Sequence, residues 1–205
     1  MIVASDPFLQ FIANTFAVEG GYSDTPEDPG NWTGGATGSG ILGGTMRGIS
    51  SASYTHMLQR VPAALHEGMP DAVRDLSEAQ CVTLYKYAYW EPACCGHLPA
   101  ALAVLVADAA VNQGVSGAVH CLQEALSFAP SGSHTSDGRV CDGDIGPATL
   151  AAIQAAAQED LAGLCIEFTY RRLIRYLSAS LWTVDGHGWS RRLFRLLLVS
   201  GNYLT

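Results

Sequence analysis

Glu19 and Asp28 are the two residues whose types and spacing suggest chemistry. Phenylalanines and Ile12 precede Glu19 at spacings of three and four, in a segment that opens with the N-cap Asp6 and Pro7. Glu19 is therefore expected in the last turn of an amphipathic helix, where apolar neighbours and the negative end of the helix dipole both favour the protonated carboxyl. Such a carboxyl can act as a general acid. An exposed glutamate at a fraying helix end fits the same pattern equally well.

Asp28 follows nine residues after Glu19, in a rigid turn of proline and glycine. Such a turn can hold a carboxylate opposite the end of a helix. Two carboxylates in different environments, one dry and one solvated, are the minimal apparatus for hydrolysing a glycosidic bond. Asp-Pro-Gly is also an ordinary turn sequence, and for Asp28 taken alone this structural interpretation is the stronger one.

Other patterns that suggest a cofactor or a metal are weak. Residues 38–43 match G-x-G-x-x-G, but no strand precedes them and no helix follows, as dinucleotide binding requires. Cys94, Cys95 and His97 lack the paired spacing of a zinc site. The Asp-Gly-Asp sequence at 142–144 lacks the spaced carboxylates and closing glutamate of a calcium loop. The sequence therefore predicts neither a cofactor nor a metal ion.

The composition is that of a folded domain with one unusual segment. Hydrophobic residues make up 48% of the 205 residues and charged residues only 15%, against about 25% charged in an average domain, so disorder is excluded. Ten of the 22 glycines fall between residues 20 and 48. Six cysteines without a secretory signal indicate reduced thiols, mostly small core residues.

The net charge of −8 argues against a nucleic-acid partner, which needs a basic face. Six of the eleven basic residues are nevertheless arginines in the last 35 positions. We expect these arginines to be solvated or ion-paired on helices, and a docking patch for an anionic surface is the alternative.

The periodicity predicts mostly helices. The segment 22–50 has no helical period and predicts loops with a short β-hairpin. The segment 100–112 is apolar nearly all round, as in a central buried helix. Further helices are predicted at 73–89, 118–126, 148–157, 161–179 and 189–199, with a second loop at 129–146.

Several short blocks along the chain resemble those of one known family. They are Glu19-Gly-Gly-Tyr22, Asp28-Pro-Gly-Asn31-Trp32-Thr33, Gly44-Thr45-Met-Arg-Gly48, Tyr89-Trp90, Asp108-Ala-Ala-Val-Asn112-Gln-Gly114, the segment 142–150 and Gly188-Trp189-Ser-Arg191. Together they resemble glycoside hydrolase family 108, the peptidoglycan N-acetylmuramidases that include phage endolysins and proteins once called secretion activators. The latter half resembles the predicted peptidoglycan-binding segment of that family.

The resemblance implies the catalytic residues. The catalytic glutamate of the family falls on Glu19. The order of a glutamate, an aspartate nine positions later and then a threonine also resembles phage lysozymes, which implies Asp28 and Thr45. Thr33 and Thr37 compete with Thr45 for the third place, because the loop carries an insertion relative to the family.

The blocks also imply residues that bind substrate. These are Tyr22, Asn31, Trp32, Trp90 and Asn112, whose aromatic members suit stacking on sugar rings. A buried aromatic needs no such role, and Tyr22 and Trp90 each fit a core position as well. Met46-Arg47 departs from the basic-then-aromatic pair that commonly follows the threonine in the family.

The resemblance implies a mainly-α, lysozyme-like fold, a two-lobed helical domain with a small glycine-rich lobe of loops and a β-hairpin. Residues 1–95 are expected to form the catalytic part and 96–205 a helical peptidoglycan-binding-like part, packed as one globular unit. The implied activity is hydrolysis of the β-1,4 bond between N-acetylmuramic acid and N-acetylglucosamine. A lytic transglycosylase using the same glutamate and a non-catalytic peptidoglycan-binding or secretion-accessory protein are the alternatives.

The expected partner is the glycan strand of peptidoglycan, and the protein is expected to be a monomer. The longest apolar run, 98–111, is 14 residues long and contains Asp108, too short for a bilayer that needs about 20, so an integral membrane protein is not expected. The first residues lack the pattern of a signal peptide. We therefore expect synthesis in the cytoplasm and action in the periplasm or cell wall, after passage through a holin, a secretion system or lysis.

Overall fold

A computed structural model describes residues 6–129, 138–179 and 182–204, and for 182–185 the backbone alone. Residues 1–5, to which the prediction about a signal peptide applies, and the middle of the predicted loop 129–146 lie outside the described residues. No helix within the described ranges has the length and hydropathy that a bilayer crossing requires.

The fold is mainly helical with a small sheet, which confirms the predicted class. The helices are α1 (Pro7–Glu19), α2 (Ser51–Leu58), α3 (Glu78–Tyr85), α4 (Ala100–Gln113), α5 (Val115–Ala125), α6 (Pro147–Leu177) and α7 (Trp182–Ser200). The strands β1 (Tyr22–Ser23), β2 (Thr45–Met46) and β3 (Ile49–Ser50) form one antiparallel sheet in the order β1-β2-β3.

The chain divides into two compact units. One is continuous, 12–88, and contains every crowded glycine; we call it the glycine-rich unit. The other, the helical unit, combines the described residues up to Phe11 with those from Tyr89 onward. The boundary predicted from the sequence, between residues 95 and 96, falls a few residues beyond the second of these division points.

The glycine-rich unit contains the sheet and the predicted hairpin. Tyr22 pairs with Met46, and Met46 pairs with Ile49. The two residues between β2 and β3 are Arg47 and Gly48, with φ of 48° and 79°. Positive φ at both positions is the geometry of a type I′ turn, whose twist matches that of the flanking strands. The short hairpin is therefore confirmed.

The first three helices of the chain begin at capping residues. The Oδ1 atom of Asp6 accepts a hydrogen bond from the Phe8 amide at 2.8 Å, which starts α1 as predicted. The Ser50 hydroxyl caps α2 in the same way, a short helix that the periodicity did not predict. The helix predicted at 73–89 is interrupted, because a capping box at Ser77 starts a new helix, α3, after a short 3-10 turn. A π-helical segment, Lys86–Trp90, follows α3.

The helical unit is built around α4. Every residue from 101 to 110 is buried, and α5, α6 and α7 all pack against this helix. The predicted central buried helix is therefore confirmed. Its many alanines let neighbouring helices approach closely, and its single carboxylate, Asp108, is bound by two guanidinium groups, those of Arg172 on α6 at 2.8 Å and Arg192 on α7 at 2.8 Å.

The long helix α6 joins two helices that the sequence predicts separately. Its backbone is non-helical at Asp160, with φ −157° and ψ 87°. The Asp160 carboxylate accepts a hydrogen bond from the Gly163 amide at 2.8 Å, as an N-cap does. The predicted break between 157 and 161 is thus present as a kink within one continuous element.

The cysteines mostly occupy core positions. Five of the six are buried and all six are unbridged in the structure. Burial raises the pKa of the Cys81 and Cys121 thiols to about 11 and that of Cys165 to about 12. These side chains act as small apolar groups. In the described part of the chain, no three His, Cys, Asp or Glu side chains are grouped so as to hold a metal ion.

Candidate active site

Glu19 is the last residue of α1 and its side chain is half-buried. The helix stops there because Gly20 takes a φ of 72°, in the left-handed region that glycine adopts without strain. Two glycines later the chain enters β1. The predicted place of Glu19, in the final helical turn and directly before the sheet, is therefore the place that the structure gives it.

The hairpin turn lies directly against the Glu19 side chain. A Cβ atom added to Gly48 would lie 2.9 Å from Cγ and 3.1 Å from Cδ of Glu19, and 2.6 Å from the Tyr85 hydroxyl. No real side chain tolerates such contacts. Gly48 is thus required twice, for its positive φ and for the approach of backbone to carboxyl.

Aromatic and charged groups hold this turn in place. The Tyr85 hydroxyl donates to the Arg47 carbonyl at 2.8 Å, and the Tyr85 ring meets Phe16 of α1 edge-on at 5.9 Å. The Arg47 guanidinium lies 4.7 Å from the centre of the Phe16 ring and pairs with Glu78 at 2.8 Å. Local sequence patterns indicate no role for Arg47 beyond a departure from the family, and none for Tyr85, because its contacts are too distant in sequence to leave a local pattern.

Asp28 caps the short 3-10 turn Pro29–Asn31. Its Oδ1 atom accepts a hydrogen bond from the Gly30 amide at 2.8 Å, and the residue is exposed to solvent. The carboxylate is therefore held in one orientation at the surface of the glycine-rich unit. Asp28 therefore has the structural role in a turn that the sequence predicts. It also provides a solvated carboxylate that one hydrogen bond holds in place.

Asn31 organises the loop that follows. It is 1% exposed; its Nδ2 donates to the Thr25 carbonyl at 2.9 Å and its Oδ1 accepts from the Thr45 hydroxyl at 2.6 Å. Its carbonyl oxygen accepts the amides of both Gly43 and Gly44. The side chain proposed for substrate binding is thus engaged with the protein, and it positions Thr45.

The three candidate threonines occupy different surroundings. Thr45 is half-buried in β2, the middle strand, opposite Ser23 of β1. The Thr33 hydroxyl accepts the Ile41 amide at 2.9 Å and closes the exposed loop. Thr37 is exposed in that same loop. Thr45 alone of the three lies in the sheet.

Tyr22 and Trp32 lie in the glycine-rich unit with Glu19. Tyr22 is 39% exposed, and its ring covers Gly44, where a Cβ atom would lie 2.6 Å from Cζ of the ring. The Trp32 indole is half-buried and donates to the Pro26 carbonyl at 2.8 Å. Each of the two side chains is anchored by one hydrogen bond and remains partly exposed, as a sugar platform requires.

Trp90 belongs to the helical unit. It is 6% exposed, with its ring 5.2 Å from that of Phe8 and 6.0 Å from that of Phe11. The residue is therefore part of an aromatic core cluster. Of the two roles that the sequence allows for Trp90, a core position and sugar stacking, its burial agrees with the core position.

Asn112 lies at an open cleft of about 570 Å³ in the helical unit. The cleft has an aromatic wall, the Tyr176 and Trp189 rings at 5.2 Å, and a charged wall, the Arg175–Glu124 ion pair at 3.1 Å. The Nδ2 atom of Asn112 donates to the Asp108 carbonyl at 2.7 Å, so the lining is tied to the buried ion cluster beneath it. Trp189 is a lining residue that the sequence analysis noted as part of a block without giving it a role.

Comparison with known proteins agrees with these observations. The family model for glycosyl hydrolase 108 matches residues 12–114, just over half of the chain. The solved structure of Brucella abortus SagA superposes with a TM-score of 0.71 at 25% identity, over 96% of this chain and 95% of that one. A search of curated proteins gave no significant match. The chain therefore belongs to glycoside hydrolase family 108.

Proposed function

We propose that the protein is a lysozyme-type N-acetylmuramidase that hydrolyses the β-1,4 bond between N-acetylmuramic acid and N-acetylglucosamine in peptidoglycan. Family membership makes it a glycoside hydrolase; the bond and the residues that cleave it are the proposal. The observation that carries it is the setting of Glu19, half-buried at the end of α1 with the Gly48 backbone against its side chain.

Glu19 is the general acid of this mechanism. It protonates the glycosidic oxygen as the leaving sugar departs, while the transition state gains oxocarbenium character. The rigid turn at Gly48, fixed by the Tyr85 hydroxyl, limits the positions that the carboxyl can take. Restricting the acid to one orientation lowers the barrier because less orientational entropy is lost on reaching the transition state.

Asp28 and Thr45 act together on the attacking water or on the transition state. Thr45 is bonded to Asn31 at 2.6 Å, and Asn31 ends the 3-10 turn that Asp28 caps, so one rigid segment connects them. In the proposed mechanism they orient the attacking water or stabilise the positive charge of the transition state. The configuration of the released sugar, measured by NMR, reports whether Asp28 acts as a nucleophile or as a base.

Each unit has an aromatic surface that suits contact with sugar rings. Tyr22 and Trp32 offer ring faces in the glycine-rich unit, and the Tyr176–Trp189 wall offers one in the helical unit. Amides beside aromatic rings suit N-acetylated sugars, and Asn112 and Gln113 provide them in the cleft. The proposed place of action is the cell wall, which a chain made in the cytoplasm reaches by a holin, a secretion system or lysis.

Digestion of purified sacculi tests the proposal. We expect Glu19→Gln to lower the release of fragments by about 10²–10⁴-fold, the usual contribution of a general acid, with an unchanged melting temperature. Glu67→Gln, the same substitution at an exposed site of the same unit, is the matched control and should retain full activity.

Mass spectrometry of the fragments separates the alternatives. Reducing muramic ends support the muramidase. Anhydro-muramic ends point instead to a lytic transglycosylase that uses the same glutamate. Equal, negligible release by the wild type and by Glu19→Gln contradicts the enzyme and leaves a peptidoglycan-binding or secretion-accessory role.

A further inference from the structure

The outer face of α7 combines exposed apolar and basic side chains. His187, Arg191, Phe194, Arg195 and Leu198 are all exposed and fall within an arc of about 100° around the helix axis. Phe194 is 53% and Leu198 80% exposed. We call these five residues the α7 outer face.

The opposite side of α7 accounts for its stability. Leu193 and Leu196 are buried, and the helix packs against α4 and α6. Arg192, on this inner side, binds Asp108. The helix therefore gains its packing energy from the inner side, and nothing in that packing requires apolar residues on the α7 outer face.

The charge of this face is one-sided. The segment 186–200 contains three arginines and no aspartate or glutamate. Among the residues that the structure describes, Arg191 and Arg195 have no ion-pair partner, whereas the half-buried Arg171 of α6 pairs with Glu167 at 2.7 Å. A chain of net charge −8 thus has two arginines on one helix face without an ion-pair partner within the described residues.

A second exposed apolar stripe lacks this combination. Ile166, Tyr170, Ile174 and Leu177 follow one face of α6, but the charges beside them are the compensated Glu167–Arg171 pair. Apolar exposure alone does not identify an occupant. The α7 outer face differs because its two arginines lie along one side of the apolar residues and favour a negatively charged partner.

We propose that the α7 outer face docks on the surface of a membrane that contains anionic phospholipids. The helix lies in the interface, with Phe194 and Leu198 entering the boundary between headgroups and acyl chains. Arg191 and Arg195 extend to lipid phosphates, for which the guanidinium fork is the best-matched group. Two arginines and two apolar side chains predict weak, salt-dependent binding of a peripheral kind.

Co-sedimentation of the full-length protein with vesicles tests this proposal. We expect binding to vesicles of phosphatidylglycerol and phosphatidylethanolamine and none to vesicles of phosphatidylcholine. Binding should fall when the ionic strength rises from about 0.1 M to about 1 M, because the screening length shrinks from about 10 Å to about 3 Å.

Paired variants locate the surface. Arg191→Glu should weaken binding by about tenfold or more, whereas Arg74→Glu, the same change at an exposed arginine of the glycine-rich unit, should not. Phe194→Ser should weaken it by about tenfold, whereas Ile41→Ser, which removes a side chain 70% exposed, should leave it unchanged. Circular dichroism confirms that each variant is folded.

Three outcomes would overturn the proposal. They are equal binding to both kinds of vesicle, no binding at low salt, or wild-type binding by Arg191→Glu and Phe194→Ser. Self-association that Phe194→Ser abolishes, with no lipid binding, would instead assign the face to a second copy of the chain. Because none of these readouts needs catalysis, they stand apart from sacculus digestion, in which both α7 variants should equal the wild type.

Discussion

The two units of this protein reach order by different means. In the glycine-rich unit, seven glycines take positive φ and side chains such as Asn31 bond to backbone, so turns and hydrogen bonds define the structure. In the helical unit, apolar burial around α4 defines the structure, and its buried polar groups include the cluster of Asp108 with two arginines and the side chain of Gln123.

The difference shows what helix packing and glycine turns each contribute to the protein. Close packing of helices makes a stable body, in which most backbone amides and carbonyls are bonded within their own helix. A glycine turn brings backbone next to a functional group, as Gly48 does beside Glu19. Three substitutions, taken from the largest expected effect to the smallest, test whether this contrast is real.

Asp108→Asn should be the most destabilising change, by about 3–5 kcal/mol in the free energy of unfolding. It leaves Arg172 and Arg192 without a counter-charge, and Arg172 is 0% exposed. Urea denaturation followed by far-ultraviolet circular dichroism measures the loss. Glu167→Gln, which breaks the partly exposed pair with Arg171, is the control and should cost less than about 1 kcal/mol. A loss at Asp108 as small as the control would show that helix burial alone holds this unit.

Gly48→Ala should affect both stability and activity. The new methyl group meets the Glu19 side chain and the Tyr85 hydroxyl in addition to the strain of positive φ, for a total of about 2–4 kcal/mol. Gly38→Ala is matched, since Gly38 has the same φ of 79° and no atom within 4 Å of the added Cβ. It should show the strain alone, about 1 kcal/mol, with full hydrolysis of sacculi. Equal effects of the two variants would show that close approach to Glu19 has no importance.

Asn31→Ala should cost about 1–3 kcal/mol, the usual range for leaving buried partners unsatisfied. It removes the acceptor of the Thr45 hydroxyl and the donor to the Thr25 carbonyl. Thermal unfolding and sacculus digestion are the measurements, with Glu67→Gln, at an exposed site of the same unit, as control. If Asn31 only positions Thr45, the catalytic rate falls and the affinity for glycan stays. Loss of affinity with unchanged stability would instead place Asn31 in contact with substrate.

Local patterns predicted the elements that local physics determines. The cap at Asp6, the phenylalanine stripe and the glycine stop give α1 and the position of Glu19. The apolar run gives α4. The periodicity did not predict α2, because this helix begins at a single serine cap directly after the hairpin and is too short to show a clear helical repeat of apolar residues.

Contacts between distant residues could not be predicted in this way. The bond from Tyr85 to the Arg47 carbonyl and the pairing of Asp108 with Arg172 join residues far apart in the chain, and each partner fits many other roles. The resemblance to a family identified Asn31 and Trp90 as members of blocks. It could not tell that both are buried, because burial depends on what the rest of the chain packs around them.

The aromatic cluster of Phe8, Phe11 and Trp90 has a consequence for the order of folding during synthesis. It joins the first turns of α1 to residues made only after the whole glycine-rich unit has been translated. The unit that carries Glu19 is thus a continuous insertion, whereas the helical unit begins before it and resumes after it. Until Trp90 has been translated, the Phe8 and Phe11 rings of nascent α1 lack this packing partner. If the inserted unit folds before Trp90 is made, the loop that must close between Phe11 and Trp90 is effectively shorter, and the entropy cost of closing it is smaller.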